Sequence, residues 1–175
     1  MIADGVRARE AASDPAGTRR IDRIEIEVVD GLEYEAHSPL ERDGVMRVGE
    51  PVERGGSGRG ASPLSHFLTG VAACLLNQFI RVALAEGYPI TFTGASARGE
   101  FRREPGAGFQ RIKVEIRGES GAGGGGLDEA LSQELVERAE RLCYVHCTLA
   151  RVIQMTTVLI VDGRSVVSRV AGPSV

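Results

Sequence analysis

SPLSHFLTGVAACLLNQFIRVALAEGY, residues 62–88, is the longest apolar run in the chain, and its reading decides the fold. Ser62 is a good N-cap and Pro63 suits the first helical position, where its missing N–H costs nothing. Gly87 and Pro89 stop a helix just beyond Glu86. The spacing therefore predicts a helix over 63–86, about 36 Å long. His66, Asn77, Gln78 and Arg81 interrupt the apolar run, which argues for a buried helix rather than a membrane span. A helix this apolar is expected to be covered on nearly all sides.

The flanks of that helix read as strands. On the N-terminal side, Ile24, Ile26 and Val28 alternate with Glu25 and Glu27, the period of a half-buried strand. Asp30-Gly31 is a hairpin signal, with Leu32, Tyr34 and Ala36 on the return strand and a third short strand at Val45 to Val48. Residues 49–61, GEPVERGGSGRGA, form a Gly-rich connection into the helix. On the C-terminal side, strands are expected around Thr91–Phe101 and Phe109–Gly118, the latter alternating through Ile112, Val114 and Ile116. After the loop SGAGGGG, Leu127, Leu131, Leu135, Ala139 and Leu142 mark one face of an amphipathic helix, with Asp128 and Glu129 early and Arg138 and Arg141 late to suit its dipole. Val158 to Val161 reads as a last strand, ended by Asp162-Gly163. The order gives an α+β class in a single domain over 21–175, with residues 1–20 expected to stay disordered. In a chain of 175 residues with formal charge −3, no sequence-wide attraction to nucleic acid or membrane is expected. Three cysteines do not make a secreted disulfide framework, no apolar signal core follows the first residues, and a cytoplasmic protein is expected.

Two thiols carry the chemistry. On a helix, Cys74 shares a face with Phe67, Gly70, Val71, Asn77, Gln78 and Arg81, so a polar patch lies beside it. Cys74 either fills space, as buried thiols often do, or acts as a nucleophile. The second role needs the thiolate, and hence a nearby cation, for which Arg81 and Arg54 are candidates. Cys143 opens the run CYVHCTL at the end of the second helix, where the negative end of the dipole disfavours its thiolate. It suits resolving an oxidised partner better than attacking. Cys74, Cys143, His146 and Cys147 could also supply a Cys3His zinc site, although the spacing is not that of paired CxxC knuckles. His146 reads as a structural histidine or a base, and Cys147 as a spare thiol.

The stretches GEPVERGGSGRGASPLSHFLTGVAACL and CYVHCTL resemble the Gly-rich loop, Cys-bearing helix and second Cys motif of the OsmC/Ohr family, with Tyr144 in place of the family's proline. The resemblance implies an intertwined homodimer, with antiparallel sheets wrapped around a long central Cys-bearing helix. It also implies reduction of organic hydroperoxides in oxidative stress defence, with a dithiol or lipoyl-type reductant restoring the enzyme and no metal or organic cofactor. Carried over by position, Cys74 is peroxidatic, Cys143 resolving, and Arg54 the arginine that stabilises the thiolate. Gln78, Arg81 and His146 are the candidate substrate-binding residues. The carboxylate that pairs with that arginine in the family is replaced by Leu64. The chain thus resembles the broader OsmC-like branch, in which a non-catalytic dimeric small-molecule-binding protein is the alternative.

Overall fold

The structure is a computed structural model that describes residues 22–38, 44–121 and 127–174. The expectations for residues 1–20 and for most of the SGAGGGG loop lie outside the described residues. Contacts within the chain divide it into two compact units, one of residues 14–67 and one built mainly from Leu68–Val175.

In the first unit, β1 (Glu25–Asp30), β2 (Glu33–His37) and β3 (Val45–Gly49) pair antiparallel in that order. Gly31, at φ +53°, makes the turn that Asp30-Gly31 predicts. The alternation in β1 does specify a strand, but not a half-buried one: Ile26 and Val28 are both exposed. Period two places the two residues on one face, and only burial against another layer would cover it. The Gly-rich connection folds tightly after β3. Val52–Arg54 form a 3-10 turn, and the N–H groups of Gly56 and Gly58 donate to the carbonyls of Pro51 and Glu50. A Cβ at Gly56 would collide with the Glu50 carbonyl, so this glycine permits a backbone approach no other residue can make.

Helix α1 (Pro63–Glu86) starts and stops where its sequence indicates. The Ser65 N–H donates to the Ser62 hydroxyl at 3.2 Å, and Gly87 at φ +69° ends the last turn. The second unit contains the rest of α1 and a four-stranded sheet in the order β4 (Ile90–Phe101), β5 (Phe109–Ser120), β6 (Gln154–Val161), β7 (Arg164–Ala171). The antiparallel sheets expected from the resemblance need one correction here, because β5 and β6 run parallel. Helices α2 (Glu129–Leu142) and α3 (Tyr144–Leu149) lie between those two strands in sequence, and a helical crossover returns the chain in the same direction. Strand β7 follows Asp162-Gly163, which is a hairpin turn rather than the end of the fold. Asp162 sits at φ 49°, and its carboxylate accepts from the Ser120 N–H at 3.0 Å and hydroxyl at 2.7 Å. Those two bonds hold the carboxyl below the usual carboxylate range.

The core of this unit lies between one sheet face and the helices. Ile112, Val114, Ile116, Met155 and Leu159 from the sheet meet Val71, Leu75, Phe79 and Val82 of α1 and Leu135, Val136 and Ala139 of α2. Phe79 packs edge-on against Phe92, with ring centroids 5.8 Å apart. Within one chain helix α1 is only partly covered: 33% of its most apolar 18-residue window is buried, and Leu84 is 58% exposed. By length and composition alone this helix could cross a membrane. Its buried stripe, Val71, Leu75, Gln78, Phe79, Val82 and Ala83, is instead built into the protein core.

Candidate active site

Cys74 sits mid-helix on α1, partly buried and packed against the core beside Leu75 and Val71. Cys143 is fully buried at the junction of α2 and α3, closing the first helix and capping the second. The fold brings these sulfurs, 69 residues apart in sequence, to 3.3 Å, with the Cys143 S–H donating to Cys74 Sγ. Sulfur is large enough for this to be contact distance, so a disulfide requires a local shift rather than a rearrangement.

The ending of α2 is more elaborate than a simple helix terminus. Cys143 Sγ also accepts from the His146 backbone N–H at 3.4 Å, in the way a serine caps a helix. The thiol thus faces two opposing influences. Its bond to Cys74 and its burial push the Cys143 thiol far above its ordinary range, and the backbone N–H of His146 pulls the other way without prevailing. Cys143 therefore keeps its proton at neutral pH, and Cys74 is the acceptor of the pair.

The other expected site residues occupy differing environments. Gln78 is buried one turn beyond Cys74, whereas Asn77 and Arg81 are exposed. Arg54 belongs to the first unit, where its Nη1 lies 3.4 Å from Glu50 Oε2. Within this loop Glu50 is therefore the carboxylate beside Arg54.

The His146 ring meets a buried carboxylate of α2. Its Nε2 is buried 3.5 Å from Glu140 Oε1, a carboxylate just 4% exposed. Glu140 Oε2 accepts from Arg169 Nε at 2.8 Å, and Arg169 Nη1 donates to Glu137 at 2.9 Å. Glu140 and Arg169 escaped the sequence reading. The available signal was a glutamate flanked by Ala139 and Leu142 on the buried face of α2. Burial pushes the His146 imidazole below its ordinary range, Glu140 opposes this, and Arg169 adds to it. The ring is thus neutral in the folded protein, and stability is lost as the pH falls below 6.5, the ordinary value at which the unfolded chain begins to bind the proton. The urea midpoint should fall between pH 6.5 and about pH 5, and fall less in His146→Gln. Parallel declines in the two proteins would contradict this.

Among the described residues, no group of three or more His, Cys, Asp or Glu side chains is arranged to hold a metal ion. Cys147, a candidate zinc ligand in the sequence, directs its S–H to the carbonyls of Glu140 and Arg141 at 3.4 and 3.3 Å.

Comparison with known proteins fits this architecture. The family model described as OsmC-like protein matches residues 56–158, more than half of the chain. An OsmC-like protein from Mycoplasma pneumoniae shares the fold at 19% identity and TM-score 0.64, with 82% of this chain and 99% of that one covered. An organic hydroperoxide resistance protein OsmC from Legionella pneumophila does so at 18% identity and TM-score 0.57, covering 83% and 98%. The organic hydroperoxide resistance protein OhrB of Bacillus subtilis gives 19% identity and TM-score 0.55, covering 80% and 98%. No curated protein sequence matches the chain. At these identities the solved structures speak for the fold.

Proposed function

We propose that this chain, which belongs to the OsmC-like protein family, is a thiol-dependent peroxidase that reduces organic hydroperoxides in oxidative stress defence. The observation that carries the reading is the 3.3 Å contact in which the buried Cys143 thiol donates to Cys74 Sγ. It supplies an acceptor sulfur in a partly exposed position and a protonated resolving sulfur already in contact with it.

The chemistry follows from those two states. The Cys74 thiolate attacks the distal peroxide oxygen, the O–O bond breaks, and the alkoxide leaves as an alcohol after taking a proton. Cys74 is then a sulfenic acid. The Cys143 sulfur attacks the Cys74 sulfur, its proton leaves with the hydroxide as water, and a disulfide remains. A dithiol or lipoyl-type reductant reopens the disulfide by exchange. We assign Arg54 the stabilisation of the Cys74 thiolate on the sequence resemblance alone.

The apolar flank of α1 supports the further reading that the chain works as a homodimer. Leu84 is exposed on a helix whose composition suits an interior. A second copy would cover that flank and place the Cys-bearing helix centrally, and a reducing cytoplasm would keep its thiols available.

Intact-mass spectrometry after a single equivalent of cumene hydroperoxide tests the proposal. The unaltered chain should lose two hydrogens, Cys74→Ser should be unchanged, and Cys143→Ser should carry a sulfenic acid trapped by dimedone. An unaltered chain that keeps its mass would overturn the peroxidase reading in favour of a non-catalytic binding protein.

A further inference from the structure

Cys143 works from the junction of two helices, and the contacts around that junction converge on one side chain. Glu140, in the last turn of α2, accepts from the Cys143 N–H through its backbone carbonyl at 3.2 Å. Its carboxylate is buried, with Oε1 3.5 Å from His146 Nε2 on α3 and Oε2 2.8 Å from Arg169 Nε on β7. Glu140 therefore ties together both helices that meet at Cys143. Strand β7 also reaches the far end of α3. A Cβ at Gly172, just past β7, would collide with the carbonyl of Ile153, so the strand end packs directly against the turn that follows α3.

One charge makes this arrangement conditional. A carboxylate buried this deeply needs a counter-charge, and the neutral imidazole of His146 does not supply one. Arg169 supplies it, and its Nη1 donates in addition to the exposed Glu137 at 2.9 Å. Without Arg169 the Glu140 carboxylate gains more from water than from its buried seat, and the last turn of α2 must shift to let water in. Cys143 moves with that turn. It starts 3.3 Å from Cys74 Sγ, and bonding leaves only about 1 Å to travel. A displacement of that size removes much of the advantage of holding a thiol against its target.

We propose that Arg169 is a positioning residue for the resolving step: by keeping Glu140 buried, it holds Cys143 against Cys74. The inference rests on the reading of Cys74 and Cys143 as a disulfide-forming pair, and adds to it a residue of the edge strand β7. Glutathione redox buffers examine that pair without any peroxide. As the Cys74–Cys143 bond forms, the S–S bond of one glutathione disulfide breaks. The two cysteines are oxidised, and their protons pass to the two glutathione thiols released.

The full chain and its variants are equilibrated with reduced and oxidised glutathione, quenched in acid, and read by intact mass with peptide mapping of the disulfide. In Arg169→Ala the equilibrium constant for the Cys74–Cys143 disulfide should fall about 10-fold, a rise of about 30 mV in reduction potential. Adding Glu140→Gln removes the orphaned charge and should bring the constant back to within about threefold of the unaltered chain. An unchanged constant in Arg169→Ala protein whose circular dichroism is native would overturn the proposal. A loss that Glu140→Gln does not recover would overturn it too, since the cause would then lie in the strand and not in the seat of Glu140. Arg169→Met, which keeps the stem without the charge, is held to the same expectations if the alanine variant does not fold. The same shift in a chain inert towards cumene hydroperoxide would support the positioning role while the peroxidase reading fails.

Discussion

Cys74→Ser should lower the steady-state reduction of cumene hydroperoxide, coupled to lipoamide oxidation, by at least about 10³-fold. A serine hydroxyl does not ionise near neutral pH and is a weak nucleophile towards an O–O bond, so truncating the reactivity without changing the shape removes the first step. Cys143→Ser should behave differently. The first turnover, followed by stopped flow, should proceed near the unaltered rate, because the attack on peroxide does not use Cys143. Later turnovers should stall at the sulfenic acid. The geometry motivates that contrast: the sulfurs are 3.3 Å apart, and a disulfide of about 2.05 Å needs an approach of little more than about 1 Å. Arg54→Ala should slow the first turnover by about 10²-fold if its guanidinium stabilises the thiolate, leaving the resolving step intact. Equal losses in the first turnover for Cys74→Ser and Cys143→Ser would remove the division of labour between the sulfurs.

The parts of this fold that were legible in the sequence are those in which one residue pattern meets one environment. Helix α1 announces itself by its cap, its length and its breakers, and β5 by Ile112, Val114 and Ile116, all of which face the core. Strand β7 does not. Its sequence RSVVSRVA occupies the sheet edge and buries no residue fully, so alternation has nothing to record. The direction of β6 was equally silent, since a period of two is the same in parallel and antiparallel strands. At the site, the facing of Cys74 and Cys143 was open to inference because both lie on predicted helices. Helix α3 was not, being six residues long and capped by a thiol in place of the usual hydroxyl or carboxylate. The Glu140–Arg169 bond joins residues 29 apart on a helix and an edge strand, and the exposed alternation of β7 gave no sign of it. Pairwise charge matches of that kind become visible only when the topology is known.

The core beneath Cys74 sets how firmly its sulfur is held, and Phe79→Ala should expose that dependence most clearly. Phe79 is fully buried, lies a little over one turn from Cys74 on α1, and meets Phe92 edge to face. Replacing it removes the ring's transfer free energy and leaves a cavity between helix and sheet that neighbours fill only partly, a loss of about 3–5 kcal/mol. Set against the total of about 5–15 kcal/mol for folded domains, that is a large share, and the urea midpoint should drop accordingly. Leu84→Ala on the same helix provides the control. Leu84 is 58% exposed within one chain, so its removal should cost a monomer less than about 0.5 kcal/mol. In a homodimer covering that flank, the same substitution should cost several times more and make the midpoint depend on protein concentration. Chemical denaturation of both variants at two protein concentrations distinguishes the cases. A Phe79→Ala loss below about 1 kcal/mol would mean that the helix is not anchored through this ring, and the rigid presentation of Cys74 to Cys143 would need another source.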